Sequence, residues 1–186
     1  MLVTVGGCAL LHPEPKLEVP DVGGFAVKGR MAVRNGDDGF ASSFVWQHAV
    51  GRDEIDLWGP LGQGHSRLVG EGDAVTVYTA KGEVYRERDA DAAMQRWLGF
   101  SLPMTALTHW IRGEQAPGYP VDGTSSDAAG DLASLDQLSW RLEFSGYQPF
   151  DGARLPARII AVRGNVRVTL LPAEWSFGAQ NAFDTP

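Results

Sequence analysis

The residue with the most pointed chemistry is Cys8, the only cysteine in the chain. It follows Val5-Gly6-Gly7 at the end of a short apolar start, Leu2 to Val5. A small apolar residue and two tiny ones before a cysteine form the pattern cut by lipoprotein signal peptidase. On that reading Cys8 becomes the first residue and carries a covalent acyl anchor, a diacylglyceryl group and an N-acyl chain. Each buried methylene contributes about 0.8 kcal/mol and one chain anchors only marginally, so three chains together would hold the protein on a bilayer. Seven residues precede Cys8 and none is Lys or Arg, whereas a complete signal has a positive start and an apolar stretch of about 7–15 residues. Either the start lies further upstream, or the pattern is fortuitous and Cys8 is a lone buried or reactive thiol.

Catalytic chemistry is sparse. Gly64-His65-Ser66-Arg67-Leu68 begins like a nucleophile elbow but lacks the final Gly and the strand-to-helix context. His12, His48, His65 and His109 have no metal-ligand spacing, so no metal is expected. The aspartates of Asn35-Gly36-Asp37-Asp38-Gly39 read as hairpin-turn residues, because the ligand spacing and terminal Glu of a calcium loop are missing. Gly59 to Gly64 lacks the Lys and the following helix of a phosphate-binding loop. The expectation is a protein that is not an enzyme and has no cofactor beyond the acyl anchor.

The net charge of −7 argues against a nucleic-acid footprint and disfavours simple electrostatic docking on anionic lipid. No apolar stretch reaches the length of a membrane-spanning helix. A single cysteine excludes an intrachain disulfide but leaves the redox compartment open. At 186 residues one domain is expected, and the expected state is a monomer.

The elements that must position anything else are mostly strands. Residues 1–24 read as a signal remnant, lipidation site and extended tether, since Pro13, Pro15 and Pro20 precede Gly23 and Gly24. Residues 25–178 form the folded unit and 179–186 a tail. Phe25, Val27, Gly29, Met31 and Val33 alternate with Lys28, Arg30 and Arg34, the period of a half-buried strand. Phe40, Ser42, Phe44, Trp46 and His48 continue on one face, followed by short strands near Ile55–Leu57, Ser66–Val69, Val75–Thr79 and Glu83–Arg86. The period then turns helical. Ala90, Ala93, Met94, Trp97 and Leu98 form one stripe, with Asp89 as N-cap and Gly99 as terminator. Pro103 opens a second helix carrying Ala106, Leu107, Trp110 and Ile111. Residues 114–131 read as a mobile loop, and strands resume through Trp140–Phe144, 154–163 and Val166–Leu170. The fold class is mainly β, with a few helices. Roughly nine to eleven antiparallel strands would curl into an incomplete barrel, with the helices as a lid in its mouth.

Such a barrel has room for a ligand as well as side chains. The sequence carries six tryptophans, and Trp46, Trp97 and Trp110 are candidates for a lipid-facing lining, with core packing as the alternative. The turn Trp58-Gly59-Pro60-Leu61-Gly62 is unusual because it carries a leucine where turns normally carry polar tips. Exposed, Leu61 would leave about 1.5–3 kcal/mol of burial energy unused, available to a membrane. Folded back, it would simply join the barrel.

Several segments resemble, in order and spacing, the LolB family of outer-membrane lipoproteins. They are Phe25 with Lys28-Gly29-Arg30 and Val33-Arg34, then Ser43-Phe44-Val45-Trp46-Gln47, Gly59-Pro60-Leu61-Gly62, and Leu102-Pro103 to Leu107. Trp110-Ile111-Arg112-Gly113, a strand from Gln137 to Trp140, Leu155-Pro156 and a closing Trp175 complete the set. The resemblance implies a LolA/LolB-like half-barrel under a helical lid. It implies a protein that receives acylated lipoproteins from the periplasmic carrier LolA and inserts them into the inner leaflet of the outer membrane. The implied partners are a LolA-type carrier with its cargo and outer-membrane lipid; the implied location is the periplasmic face of the outer membrane. By the same resemblance Cys8 is the lipidation site and Leu61 the membrane-inserting residue; Phe44, Trp46, Trp97, Leu107, Trp110 and Ile111, read from the apolar faces of barrel and lid, are the candidate cavity lining. Ala9 after Cys8, rather than aspartate, suits outer-membrane sorting. Proline-broken residues 9–24 depart from the helix that family members commonly carry ahead of the first strand. The alternative function is a lipocalin-like periplasmic binding protein for a free lipid or apolar ligand. A hollow interior is expected; a filled, dry one with the Pro-Leu hairpin tucked flat would overturn the reading.

Overall fold

Strict alternation of dry and wet residues sets the sheet. In the computed structural model, which describes residues 24–177 apart from Gln63, Asp73 and the side chain of Leu61, six strands meander from the first described residues. They are β1 (Phe25–Asn35), β2 (Asp38–Ala49), β3 (Arg52–Trp58), β4 (His65–Glu71), β5 (Ala74–Tyr78) and β6 (Val84–Glu87). Helices α1 (Ala90–Leu98) and α2 (Met104–Trp110) follow. The chain then returns through β7 (Val121–Ser126), β8 (Leu132–Gln137), β9 (Trp140–Ser145), β10 (Gln148–Phe150), β11 (Ala153–Leu155), β12 (Arg158–Arg163) and β13 (Val166–Phe177). Cys8, His12, the tether up to residue 23 and the 179–186 tail lie outside the described residues.

Eleven of these strands form one antiparallel sheet in the order β6-β5-β4-β3-β2-β1-β13-β12-β9-β8-β7, and β10 and β11 pair separately. The first and last strands lie side by side at its centre, in register from Phe25 opposite Phe177 to Asn35 opposite Val166. Strands β6 and β7 are its two edges, so the barrel is open between them. The chain that joins those edges carries both helices. Inner-face residues from both halves of the sheet pack with Met94, Leu107 and Ile111 into one apolar core.

The sheet holds at its centre by a close approach. The β1–β13 register shifts between Lys28 and Gly29. A Cβ on Gly29 would stand 2.5 Å from the Leu171 carbonyl oxygen and 2.8 Å from the Phe44 ring. The glycine of Lys28-Gly29-Arg30 is therefore a packing requirement.

Caps behave as their residue types dictate. Asp89 accepts the Asp91 amide at 2.9 Å and Gly99 ends α1 in the left-handed region at φ 80°. Pro103 sits at the N-cap of α2, one place before the first turn expected for it, and gives that helix no side-chain cap.

Two expectations are corrected. Residues 114–131 are not all loop: β7 lies within them, paired to β8. Its sequence Val-Asp-Gly-Thr-Ser-Ser has no apolar alternation because the strand is an exposed edge with two register shifts. The stretch from Gln137 to Trp140 is not a strand but the two-residue turn between β8 and β9. Leu138 and Ser139 take φ 54° and 62° there, values for which Asn-Gly is the usual signal. The chain past Trp175 stays in β13 to Phe177.

Strand directions fix two ends. The Pro60–Gly62 3-10 turn, the β1–β2 turn at Gly36, the β8–β9 and β12–β13 turns and the α1–α2 connector share one end, here the loop end. Two bonds place the connector there: Asn35 Nδ2 donates to the Gly99 carbonyl at 3.5 Å and Arg163 to the Ser101 carbonyl at 2.6 Å.

Candidate functional site

The inner face of the sheet and the two helices enclose a cleft. Phe44 and Trp46 from β2 form its back wall, with Ile55 and Leu57 of β3 and Leu68 of β4 to one side and Val168 and Leu170 of β13 to the other. Met94, Trp97 and Leu98 of α1 close it from above, together with Leu102, Met104, Leu107 and Ile111. Every lining side chain is apolar. The one polar atom of Trp46 is taken up elsewhere: its indole N–H donates to Asp53 Oδ1 at 2.8 Å, and His48 meets the same oxygen at 2.8 Å. Three of the chain's four methionines, Met31, Met94 and Met104, border the cleft. Methionine is unbranched and soft, so such a wall repacks at low cost.

The cleft is closed. Its cavity volume is about 50 Å³, room for a few waters and well below the roughly 300–1,000 Å³ of a preformed ligand pocket. The hollow expected from sequence is instead a nearly filled interior. Aromatic and methionine side chains from the lid descend into the space that barrel size alone suggested would be empty.

Five of the six residues expected to line a cavity, Phe44, Trp46, Trp97, Leu107 and Ile111, stand on this wall. Trp110 does not. It is fully buried, and its indole N–H donates to Gln137 Oε1 at 2.9 Å. The same oxygen accepts the Ala116 amide at 3.0 Å, while Gln137 Nε2 donates to the Ala116 and Tyr119 carbonyls at 2.9 and 3.2 Å. Trp110 is thus a structural anchor, drawn away from the cleft because its N–H needs a partner when buried. Nearby, a Cβ on Gly113 would lie 2.5 Å from Tyr147 Oη. Burial, with Asp131 and Asp127, pushes the Tyr147 phenol up to about 12, so it stays protonated and donates to the Leu132 carbonyl at 2.8 Å. The C-terminal end of α2 is therefore pinned. The rest of the lid is held more lightly: the Asn35 and Arg163 bonds to the connector, an Arg96–Glu87 ion pair at 2.9 Å and apolar contacts.

Leu61 lies in the 3-10 turn, closed by the Gly62 amide donating to the Gly59 carbonyl at 3.1 Å. The base of that loop is rigid. Trp58 stacks on His65 with ring centroids 5.2 Å apart, and its carbonyl accepts Ser42 Oγ at 2.7 Å. His65 meets Asp56 Oδ1 at 2.6 Å, and Arg67 donates to both Asp56 oxygens at 2.8 and 3.2 Å. Hydrogen bonding to Asp56 raises the Arg67 guanidinium above its ordinary value, against its own partial burial.

Ser66 Oγ accepts the Ala80 amide at 3.1 Å and has no base beside it. His109 lies 3.5 Å from Glu114. No group of three or more metal-ligating side chains occurs among the described residues. No described helix is long and apolar enough to cross a membrane. Met31, Met94 and Leu170 were legible as dry-face residues but not as lining; Met104 was not singled out, and Gln137 entered only as the start of an expected strand.

The model of the family "Outer membrane lipoprotein LolB" matches residues 24–175. An outer-membrane lipoprotein LolB from Azoarcus sp. is 32% identical over 151 residues, covering 81% of this chain and 77% of the relative. Its counterpart from Halorhodospira halophila is 31% identical over 183 residues, covering 94% and 90%. Among solved structures, a LolA superfamily protein from Nitrosomonas europaea shares the fold with a TM-score of 0.54 at 9% identity, over 89% of this chain and 90% of that one.

Proposed function

The chain belongs to the LolB family of outer-membrane lipoproteins, and from that premise we infer that it acts in lipoprotein localisation, taking acylated proteins from a LolA-type carrier and inserting them into the inner leaflet of the outer membrane. The observation that carries this reading is the cleft: a wholly apolar, methionine-bordered space under two short helices. An acyl chain with about fourteen methylenes gains on the order of 11 kcal/mol by burial. Release into water is negligible at that cost, so cargo passes from one apolar site to the next without leaving cover. The same gain is available to displace the lid. Opening hinges on the pinned end of α2, while α1 and the 99–103 connector swing away and the methionines repack around the chain. Direction requires this cleft to hold acyl chains better than the carrier does, and the bilayer to hold them better still.

The protein works on the periplasmic face of the outer membrane, held by acyl groups on Cys8. Leu61, at the tip of the loop, enters the leaflet and opens the final step. The lipocalin-like alternative fits less well. Binding sites for free small ligands are largely preformed, at about 300–1,000 Å³, whereas this interior holds about 50 Å³.

A two-stage transfer assay tests the proposal. The purified chain is mixed with a LolA-type carrier loaded with a labelled lipoprotein, and vesicles are then added. The label should move first to this protein and then to the vesicles, with no nucleotide present. Label that stays on the carrier would refute the proposal.

A further inference from the structure

In a chain of net charge −7, three arginines on the outer face of the sheet have no acidic partner among the described residues. Arg34 on β1 and Arg167 on β13 are direct cross-strand neighbours. Arg30 lies on the same face, four residues along β1, about 13 Å away at the rise of a strand. All three are exposed, and none forms an ion pair with any other described residue. Asp37 and Asp38, at the tip of the same hairpin, do not bridge to them either. Ala32, Ala41 and Ser43 lie beside them on β1 and β2, and Leu171, Thr169 and Val162 on β13 and β12, so the guanidinium groups project from an uncharged floor. Like charges directly opposite on neighbouring strands are destabilising. Elsewhere on the outer face Lys28 pairs with Glu174, Arg67 with Asp56 and Glu54, and Arg141 with Asp136, while Arg86 and Arg158 are isolated cations without an ion pair among the described residues; of these residues only Arg34 and Arg167 stand directly opposite a like charge.

The position of this patch is as informative as its charge. Arg30 is opposite Ser43, Ser43 opposite Trp58, and Trp58 opposite His65. One cross-strand row therefore leads from the arginines to the rigid base of the Gly59–Gly64 loop. Of the exposed large apolar residues among those described, Phe40, Tyr78 and Val84 lie toward this loop end as well. Trp58 shares its row with Arg30, and Arg34 and Arg167 lie nearer the loop end, so apolar side chains, a tryptophan and the arginines reach a bilayer surface together, the chemistry of its hydrocarbon, interface and headgroups.

We infer that Arg30, Arg34 and Arg167 form a headgroup-binding surface that docks the loop end of the protein on the phosphates of an anionic bilayer. This rests on the insertion reading and adds what orients the loop for it. The charge of the whole chain opposes adsorption in any other orientation. Because screening confines electrostatic attraction to about 8–10 Å, only groups at the loop end contribute: the three arginines, partly offset by Asp37 and Asp38 at the hairpin tip, while the rest of the acidic surface stays beyond reach.

The test uses the full chain with Cys8→Ser, so that no anchor masks weak binding. Its sedimentation with phosphatidylcholine vesicles is compared with and without about 30 mol% phosphatidylglycerol. The unsubstituted surface should prefer the anionic vesicles, and the preference should fade with salt. Arg30→Gln, Arg34→Gln and Arg167→Gln should each weaken anionic binding about fivefold, and together about a hundredfold. Arg158→Gln, an exposed position at the opposite end of the sheet, should change nothing. The triple variant should be no less stable to urea than the parent, because a like-charge pair has been removed. Anionic binding unchanged in the triple variant would overturn the inference, as would equal losses on neutral vesicles. So would a variant that binds vesicles normally but no longer takes cargo from the carrier, which would assign the patch to a protein partner. Failure of the parent protein to move cargo would overturn the insertion reading alone, since vesicle binding is read without cargo.

Discussion

Leu61→Glu is expected to leave acceptance of cargo intact and to lower its delivery into vesicles about a hundredfold or more. The substitution exchanges a gain of about 1.5–3 kcal/mol for burying leucine against a cost of about 2–3 kcal/mol for a charged side chain in hydrocarbon. The loop can carry the change without harm to the barrel. Its base is fixed by the Trp58–His65 stack, by Ser42 and by the Asp56 pairings, and the cleft wall draws on other residues. The two stages of the transfer assay separate these effects: label should reach the variant at the parent rate and stop there. Normal delivery by the variant would remove Leu61 from the mechanism. Leu61→Phe, which keeps the apolar tip, should behave as the parent does.

Gln137→Leu is expected to cost about 3–5 kcal/mol of stability, out of the 5–15 kcal/mol typical of a domain. The side chain is fully buried and makes four hydrogen bonds. Leucine would leave the Trp110 indole N–H and the Ala116 amide and carbonyl without partners, at about 1–3 kcal/mol each when buried. Urea denaturation measures the loss. Because this network pins the end of α2, the Ala116 amide should also exchange with solvent far faster in the variant. A change below about 1 kcal/mol would mean that water repairs the site, and that the hinge lies elsewhere.

The strands that alternate strongly were readable from the sequence because one face of each meets the core. Phe25 to Val33 and Trp140 to Phe144 are examples. Both helices were readable for the same reason at a different period, and Asp89 and Gly99 marked the ends of α1. β7 was not readable. An exposed edge strand of Gly, Thr and Ser is held by ladder bonds to β8, which leave no trace in side-chain type. The Leu138-Ser139 turn was hidden because neither residue normally prefers positive φ; the buried Gln137 and Trp140 on either side hold it there. Five aromatic and aliphatic lining residues followed from dry-face periodicity. Trp110 fell outside because periodicity gives the face of a helix but not the partner its indole N–H will find. The filled interior was also beyond the pattern. Alternation counts which residues point inward, while the space left over depends on how far Trp97, Met94 and Met104 reach from the lid.

That closed interior makes lid opening the decisive step, and the cleft can be probed directly. A lipoprotein carrying a photoreactive group within its acyl chain would be transferred to the protein and irradiated, and the cross-linked residues read by mass spectrometry. Label on Met31, Met94, Trp97 and Leu107, with none on Trp110 or on outer-face Tyr78, is the result expected if the chain enters between lid and sheet. Label confined to the outer face or to the rim, with Met94 and Leu107 untouched, would contradict the account.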